Sequence, residues 1–269
     1  MKLNRIMGLT PGKECESIAT GFHNLDRITG GLRIGQLCTI AARPGMGKTQ
    51  FAVSLLRNIG VVQKVPAAYL SLELNELEIA RRLKASITGS WKTIPYEEKK
   101  PHKVTQSLEE TQRLKDFIQA MEKHGFHLKS VPDVNLKSDP NVEQEAVQMM
   151  KEAPVWIEHD SGVGMNEIVS RMERLHQENQ VRVVIVDSMQ RIKFADIQTE
   201  QSQAQALMKL CQAAERLKMA VILTSGLNPP FPSRSNALRP ELRDLRDRNP
   251  IDAFSSMVMF VYRPRLLQT

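Results

Sequence analysis

Gly45, Gly47, Lys48 and Thr49 lie close together in this 269-residue chain. Glycine-rich loops with this spacing bind nucleotide phosphates, because their backbone N–H groups converge on one anion. The ammonium group of Lys48 would neutralise the terminal phosphates, and the hydroxyl of Thr49 would bind Mg²⁺. The spacing therefore predicts a phosphate-binding loop together with its metal ion.

The residues on either side of this loop supply the elements that a phosphate site needs. A short apolar run from residue 37 to 42 predicts a strand, and apolar periodicity from residue 49 to 59 predicts a helix whose N-terminus adds its positive end to the loop. Ala42 stands where the strict motif has glycine, and a chance glycine turn is the alternative that the flanking elements disfavour. The residues expected to contact the nucleotide are Ala42, Arg43, Pro44, Gly45, Met46, Gly47, Lys48, Thr49 and Gln50.

Two acidic residues follow apolar segments elsewhere in the chain. Glu73 comes directly after the run from residue 67 to 72, and Asp187 ends the β-branched run from residue 181 to 186. Open α/β sheets bind their ligands at the carboxyl ends of the strands, so both carboxylates are expected near the phosphate loop. Asp187 is a candidate to hold Mg²⁺. Glu73 is a candidate base for an attacking water, although its spacing alone is equally consistent with a surface glutamate.

The remaining apolar segments predict an α/β fold with a mostly parallel central sheet flanked by helices. Strand patterns alternate with amphipathic helical patterns along most of the chain, which is typical of parallel strands joined by crossover helices. The further predicted strands are 155–157, 220–225 and 257–262, and the further predicted helices include 165–175 and 201–218.

Three segments depart from this alternation. Residues 1–19 have little periodicity and are interpreted as a mobile arm, and residues 20–35 are expected to be a turn-rich loop that leads into the first core strand. A single domain would then extend from residue 20 to 269, interrupted by a polar, proline-punctuated helical insertion at about 89–153. That insertion either packs on the sheet or docks a partner. The helices predicted inside the insertion are 107–124 and 142–152.

Composition limits the class of protein. At 41% hydrophobic residues the chain can bury a core, and no apolar run approaches the length of a bilayer span, so we expect a soluble, cytoplasmic protein without membrane contact. Cys15, Cys38 and Cys211 are far apart and outside any metal-binding spacing, which indicates reduced packing residues. The net charge of +7 modestly favours a polyanionic partner.

The motifs together resemble the motor domain of the DnaB family of bacterial and phage replicative DNA helicases, which has a RecA-like P-loop NTPase fold. The resemblance spans about residues 20–264. The blocks that carry it are Thr20-Gly21-Phe22, Leu25-Asp26, Thr29-Gly30-Gly31-Leu32, residues 41–49, Ser71-Leu72-Glu73, Val184-Ile185-Val186-Asp187 with Met189-Gln190, Asp244-Leu245-Arg246-Asp247, and Tyr262-Arg263.

The resemblance implies an ATPase and DNA helicase that uses ATP and Mg²⁺, assembles into a ring such as a hexamer, and moves 5′→3′ on single-stranded DNA during replication. Lys48 and Thr49 would then bind phosphate and metal, Asp187 would support the metal, and Glu73 would act with Lys48 in catalysis. A replicative helicase, a loader or a primase would be the expected protein partner. The residues implied to bind DNA are Arg243, Arg246, Asp247, Arg248 and Asn249.

Departures from the family pattern leave a second interpretation open. The family has a separate N-terminal helical domain, whereas only a short arm is expected before Thr20, and its lysine and arginine fingers are expected on strands beyond Thr269. An incomplete chain would equally explain the missing fingers. Gly226 stands where a glutamine senses the γ-phosphate, and Asn249 stands where the DNA loop usually has glycine. Arg263 and Arg265 are the candidates to replace a finger. The alternative is a helicase-like ATP-binding protein that loads, regulates or inhibits a replicative helicase without unwinding DNA.

Overall fold

The computed structural model of the protein describes residues 16–89, 140–193, 200–227, 239–246 and 250–263. The strands in these ranges are β1 (Ser17–Ile18), β2 (Leu32–Arg33), β3 (Leu37–Ala42), β4 (Ala67–Ser71), β5 (Val155–His159), β6 (Val183–Asp187), β7 (Ala220–Gly226) and β8 (Met257–Val261).

The helices alternate with these strands, as the sequence pattern predicts. They are α1 (His23–Thr29), α2 (Lys48–Leu56), α3 (Glu76–Thr88), α4 (Pro140–Lys151), α5 (Met165–Asn179), α6 (Glu200–Leu217), α7 (Arg243–Arg246) and α8 (Ile251–Phe254). A π-helical segment, Arg57–Val62, continues α2, and a 3₁₀ turn, Met189–Arg191, follows β6.

Six strands form one sheet in the order β5-β4-β6-β7-β3-β8, and every neighbouring pair runs parallel. All residues of β3, β4 and β6 are buried, as expected for strands that helices cover on both faces. The register places Ser71 beside Asp187 and Ala42 beside Gly226, so the strand ends that carry the predicted site lie along one edge. The predicted α/β class is therefore confirmed.

Two hydrophobic clusters cover the two faces of the sheet. Successive strand residues alternate between them, since Cβ atoms along a strand point to opposite sides. Tyr69 packs in the cluster that α2 and α3 complete, whereas Leu70 packs in the cluster that α5 and α6 complete. The central strands are thus held between helices on both sides, which fixes their ends relative to one another.

The lead-in region differs from its prediction as a loop. Residues 23–29 form α1, and the carboxylate of Asp26 accepts the backbone N–H groups of Thr20 at 2.7 Å and Gly21 at 3.0 Å. The arm prediction was also wrong for Ser17 and Ile18, which pair antiparallel with β2. A seven-residue helix and a two-residue strand are too short to show hydrophobic periodicity, and the remainder of the predicted arm lies outside the described residues.

The described end of the predicted insertion is helical. Helix α4 matches the predicted helix at 142–152, and it packs on α3 through buried Met150 and through an ion pair of Lys84 with Glu143 at 3.0 Å. The other predicted helix, 107–124, lies outside the described residues. Across the described ranges, no helix combines the length and apolar character that crossing a membrane requires.

Candidate functional site

The phosphate-loop motif forms the turn between β3 and α2. Gly45 and Gly47 have φ values of 76° and 93°, in the left-handed region that glycine adopts without strain. Gly47 is also the N-cap of α2, so the unpaired N–H groups of the first helical turn open toward the loop. The structure confirms the predicted order of strand, glycine loop and helix, which is the geometry that binds an anion.

The side chains of this motif point in different directions. Arg43 and Met46 are buried in the protein, whereas Pro44 and Gly45 are exposed. Among the described residues, the buried side-chain nitrogen of Gln50 has no hydrogen-bond partner. A donor left in this state beside a helix N-terminus fits an anionic ligand such as a nucleotide phosphate.

Asp187 lies at the centre of a hydrogen-bonded cluster at the end of β6. Its Oδ1 accepts from Lys48 Nζ at 3.1 Å and from the hydroxyl of Thr224. Its Oδ2 accepts from Thr49 Oγ1 at 2.8 Å and from the hydroxyl of Tyr69 at 2.7 Å. Lys48 Nζ also donates to Thr224 Oγ1 at 3.1 Å. Four protein donors therefore match the roughly four lone-pair positions of the carboxylate.

The cluster stabilises Asp187 as a buried anion. Burial by itself raises the pKa of this carboxyl, but the charge of Lys48 and the hydroxyl hydrogen bonds outweigh burial, so the pKa lies below its ordinary value. Burial raises the pKa of Tyr69 well above its ordinary value, and the charge of Asp187 adds to this effect. The phenol therefore stays neutral and donates its proton to the carboxylate.

The donor set of this cluster fits Mg²⁺. Magnesium prefers oxygen ligands, keeps several waters, and is usually bound by few protein groups together with phosphates. The hydroxyl of Thr49 donates its hydrogen to Asp187, which leaves its lone pairs for a cation. Asp187 is the acidic group beside Thr49 that would support the same ion. These two residues are the sequence-predicted metal ligands, and the structure brings them together.

Glu73 lies at the same sheet edge. Leu72 donates its N–H to the backbone oxygen of Asp187 at 2.6 Å, which holds the end of β4 against the end of β6. The carboxylate of Glu73 is 45% exposed, and Arg191 Nη2 lies 3.7 Å from its Oε1. Glu73 is therefore beside the cluster and accessible to water, as a base requires, and its catalytic role stays a prediction.

Part of the predicted DNA loop packs against the phosphate loop. Asp244 in α7 is 4% exposed and lies 3.9 Å from Nη2 of Arg43, which is 8% exposed. Arg243 is exposed and pairs with Glu241 at 3.0 Å. The side chain of Arg246, together with Asp247, Arg248 and Asn249, lies outside the described residues. This buried ion pair thus joins the predicted phosphate site to the segment predicted to bind DNA.

The structure shows the surroundings of Gly226, which departs from the family pattern, and of Arg263, a candidate to replace a finger. A Cβ atom at Gly226 would lie 3.5 Å from the side-chain amide of Gln190, whose Nε2 donates to Ser225 Oγ at 3.0 Å. The guanidinium of Arg263 lies over the phosphate loop, with Nη2 3.6 Å from a Cβ atom built on Gly47. Arg265 lies outside the described residues.

Sequence reasoning missed Tyr69, Thr224 and Arg191. Tyr69 and Thr224 occur within runs that the sequence pattern identifies only as buried strands, and their partner is distant in the chain. The available signal was a hydroxyl within an apolar run, because a buried hydroxyl needs a hydrogen-bond partner.

Fold and site together define a RecA-like P-loop NTPase: a parallel sheet with a glycine loop at the end of β3 and an acidic strand end at β6. The family model for the DnaB-like helicase C-terminal domain matches residues 17–138 and 128–269. The chain belongs to this family.

Named relatives agree with this assignment. The replicative DNA helicase DnaB of Buchnera aphidicola subsp. Baizongia pistaciae (strain Bp) is 28% identical over 260 residues, which cover 96% of this chain and 49% of the relative. The replicative DNA helicase DnaB of Haemophilus influenzae is 28% identical over 251 residues, which cover 91% of this chain and 46% of the relative. The chain spans about half the length of the curated relatives it matches.

Solved structures share the fold. A solved ATPase domain superposes with a TM-score of 0.70 at 23% identity, covering 98% of this chain and 82% of that one. A DnaB-like replicative helicase, described with its interactions with primase, superposes with a TM-score of 0.71 at 23% identity, covering 98% of this chain and 58% of that one. These similarities confirm the RecA-like architecture.

Proposed function

We propose that the chain is the ATP-dependent motor of a replicative DNA helicase. It binds ATP with Mg²⁺ at residues 42–50 and uses hydrolysis to move along single-stranded DNA. The observation that carries the proposal is the contact of Lys48 and Thr49 with Asp187, because it joins the phosphate loop to the acidic strand end. Membership of the DnaB-like family supports the same conclusion.

Lys48 has two charged partners available in this mechanism. Its ammonium lies 3.1 Å from Asp187 and is 16% exposed, so it can turn toward the loop. A triphosphate carries more negative charge than one carboxylate and therefore draws Lys48 away from Oδ1. This exchange would free a lone pair of Asp187, which together with the hydroxyl of Thr49 would hold Mg²⁺. When bound, Mg²⁺ neutralises charge on the β- and γ-phosphates.

Glu73 is the residue proposed to orient and deprotonate the attacking water. Its carboxylate is exposed at the edge of the site, whereas that of Asp187 is fully hydrogen-bonded. Arg191 lies 3.7 Å away and limits the directions in which Glu73 can point. A positioned base of this kind contributes about 10²–10⁴-fold to the rate.

The DNA side of the proposal rests on the arginine-rich segment at residues 243–249, which begins with helix α7. Arg243 and the residues implied by resemblance, Arg246, Asp247, Arg248 and Asn249, would contact the DNA backbone, which gives salt-dependent binding without sequence preference. The net charge of +7 suits this ligand. Ring assembly, for example as a hexamer, and contact with a loader are proposed from membership of the DnaB-like family, and the solved helicase described with its interactions with primase supports a contact with primase.

A second candidate is a helicase-like ATP-binding protein that loads, regulates or inhibits a replicative helicase. The observation in its favour is Gly226, because glycine lacks the side chain that the resemblance expects to contact the γ-phosphate. This candidate would bind ATP with little turnover.

Three variants separate binding from hydrolysis. Lys48→Ala should weaken binding of a fluorescent ATP analogue at least tenfold. Glu73→Gln should bind it like the parent protein while DNA-stimulated phosphate release falls about 100-fold or more. The matched control is Glu145→Gln, an exposed position on α4, which should change neither quantity.

The same samples decide between the two candidates. A motor should show phosphate release that rises with single-stranded DNA and a mass in solution that rises with Mg²⁺ and ATP. If the parent protein binds ATP but releases phosphate no faster than Glu73→Gln, the motor is refuted and the loading or regulatory function is supported. Unchanged ATP affinity in Lys48→Ala would refute the assignment of residues 42–50 as the nucleotide site.

A further inference from the structure

We propose that Tyr69 is a positioning residue for the bound metal–nucleotide complex: its buried hydroxyl fixes the Asp187 carboxylate, which in turn orients the hydroxyl of Thr49. The inference rests on the proposed function of the Asp187 cluster as a Mg²⁺ and ATP site. It adds to that site a residue from β4 that no phosphate-loop motif contains.

The register of the sheet brings the tyrosine to the carboxylate. Tyr69 lies beside Ile185, and Asp187 is two residues further along β6. Two strand residues correspond to about 6.6 Å, a distance that a tyrosine ring and its hydroxyl can span along the sheet. The resulting contact is 2.7 Å from the hydroxyl to Asp187 Oδ2. A phenylalanine here would fill the same space without reaching the carboxylate.

The hydroxyl approaches from the protein interior. Tyr69 is 0% exposed and packs among the residues of the α2–α3 cluster, where an unpartnered hydroxyl would be unfavourable. Asp187 satisfies it. Because hydrogen bonds to a buried carboxylate are directional, the contact resists rotation of the carboxylate about its Cβ–Cγ bond.

The same oxygen connects Tyr69 to Thr49. Oδ2 of Asp187 accepts from both hydroxyls, at 2.7 Å and 2.8 Å. The direction in which Thr49 points its hydrogen decides where its lone pairs point, and those lone pairs are the proposed metal ligand. Loss of the Tyr69 hydroxyl would remove one of the two hydroxyl donors to Oδ2, so the carboxylate would be held less firmly and Thr49 would be directed less accurately. In the proposed role Tyr69 itself touches neither metal nor nucleotide.

A purely structural role makes a different prediction. If Tyr69 only fills the core, Tyr69→Phe keeps its volume and ring contacts and leaves the metal dependence of nucleotide binding unchanged. If it positions Asp187, binding without metal is unchanged and only the gain that Mg²⁺ brings is reduced.

The test titrates a fluorescent ATP analogue in EDTA and across a Mg²⁺ series. In Tyr69→Phe, affinity in EDTA should stay within about twofold of the parent, and the Mg²⁺ concentration giving half the metal-dependent gain should rise about tenfold, the size of one hydrogen bond to a charged group. The control, Ser170→Ala, removes an exposed hydroxyl on α5 that donates to the backbone oxygen of Asn166, outside the Asp187 cluster, and should behave like the parent.

A double-variant cycle identifies the path through Asp187. In an Asp187→Asn background, Tyr69→Phe should have little further effect on the metal dependence, because both changes act on one contact. Fully additive effects, or a Tyr69→Phe titration that superposes on the parent, would overturn the positioning role alone. If the ATP affinity of the parent protein does not depend on Mg²⁺, both this role and the proposed function would be overturned.

Discussion

Replacing Asp244 tests how strongly the phosphate loop is tied to α7. Asp244→Ala removes the carboxylate that lies 3.9 Å from Arg43 and that also accepts the backbone N–H of Glu241 at 2.9 Å. Asp244→Asn keeps an oxygen for the Glu241 N–H group and removes only the charge. Comparing the two variants therefore separates the ion pair from the local hydrogen bond.

The magnitude follows from distance and burial. At an effective dielectric constant of about 20, two charges about 4 Å apart attract by about 4 kcal/mol, most of which desolvation of the pair offsets. Removing Asp244 takes away one interaction of the buried Arg43 guanidinium, and breaking a buried ion pair lowers the free energy of unfolding by up to about 3–5 kcal/mol. Asp244→Asn should lose about 1 kcal/mol less than Asp244→Ala, since the hydrogen bond from Glu241 is kept.

Urea unfolding monitored by circular dichroism measures the free energy of unfolding of both Asp244 variants. The matched control is Glu241→Ala, which removes a half-exposed carboxylate from the same segment and should change the free energy of unfolding by less than about 1 kcal/mol. Binding of an ATP analogue should weaken in Asp244→Ala, because Arg43 belongs to the phosphate loop. An unfolding midpoint for Asp244→Ala equal to that of Glu241→Ala would refute the reasoning.

Two further predictions concern packing and thiol chemistry. Gly60→Ala places a Cβ atom 2.2 Å from Val155 Cγ2 and should lower the free energy of unfolding by about 1–3 kcal/mol, and adding Val155→Ala should cost less than the sum of the single changes. Burial raises the pKa of Cys38 to about 12, so at pH 8 iodoacetamide should label Cys38 only after urea unfolding. Peptide mass spectrometry of native samples would contradict this if Cys38 were alkylated.

Short-range sequence patterns were sufficient to predict the elements that neighbouring residues determine. The strand at 37–42 and the glycine loop were predictable because apolar periodicity and the phosphate-loop spacing are both short-range signals. The approach of Asp187 to Lys48 was also predictable, since parallel strands place their carboxyl ends at one edge.

Contacts that depend on strand order could not be predicted in this way. The partner of Tyr69 follows from the pairing of β4 with β6, which periodicity does not specify. The motif predicts that Arg43 contacts the nucleotide, and the structure buries its side chain against Asp244, which is 201 residues further along the chain. Similarly, the sequence indicates that Gly226 lacks the side-chain amide that the family pattern has at this position. In the structure, the side-chain amide of Gln190 reaches the end of β7 from the turn after β6.

The Asp187 cluster is assembled from segments that are far apart in the chain. Lys48 is 139 residues from Asp187 and 176 from Thr224. During synthesis the glycine loop therefore leaves the ribosome long before its buried partners, and non-local parallel pairing is slow. A ligand stabilises only the states that bind it. ATP would therefore stabilise chains whose central sheet is complete and would not stabilise shorter nascent chains.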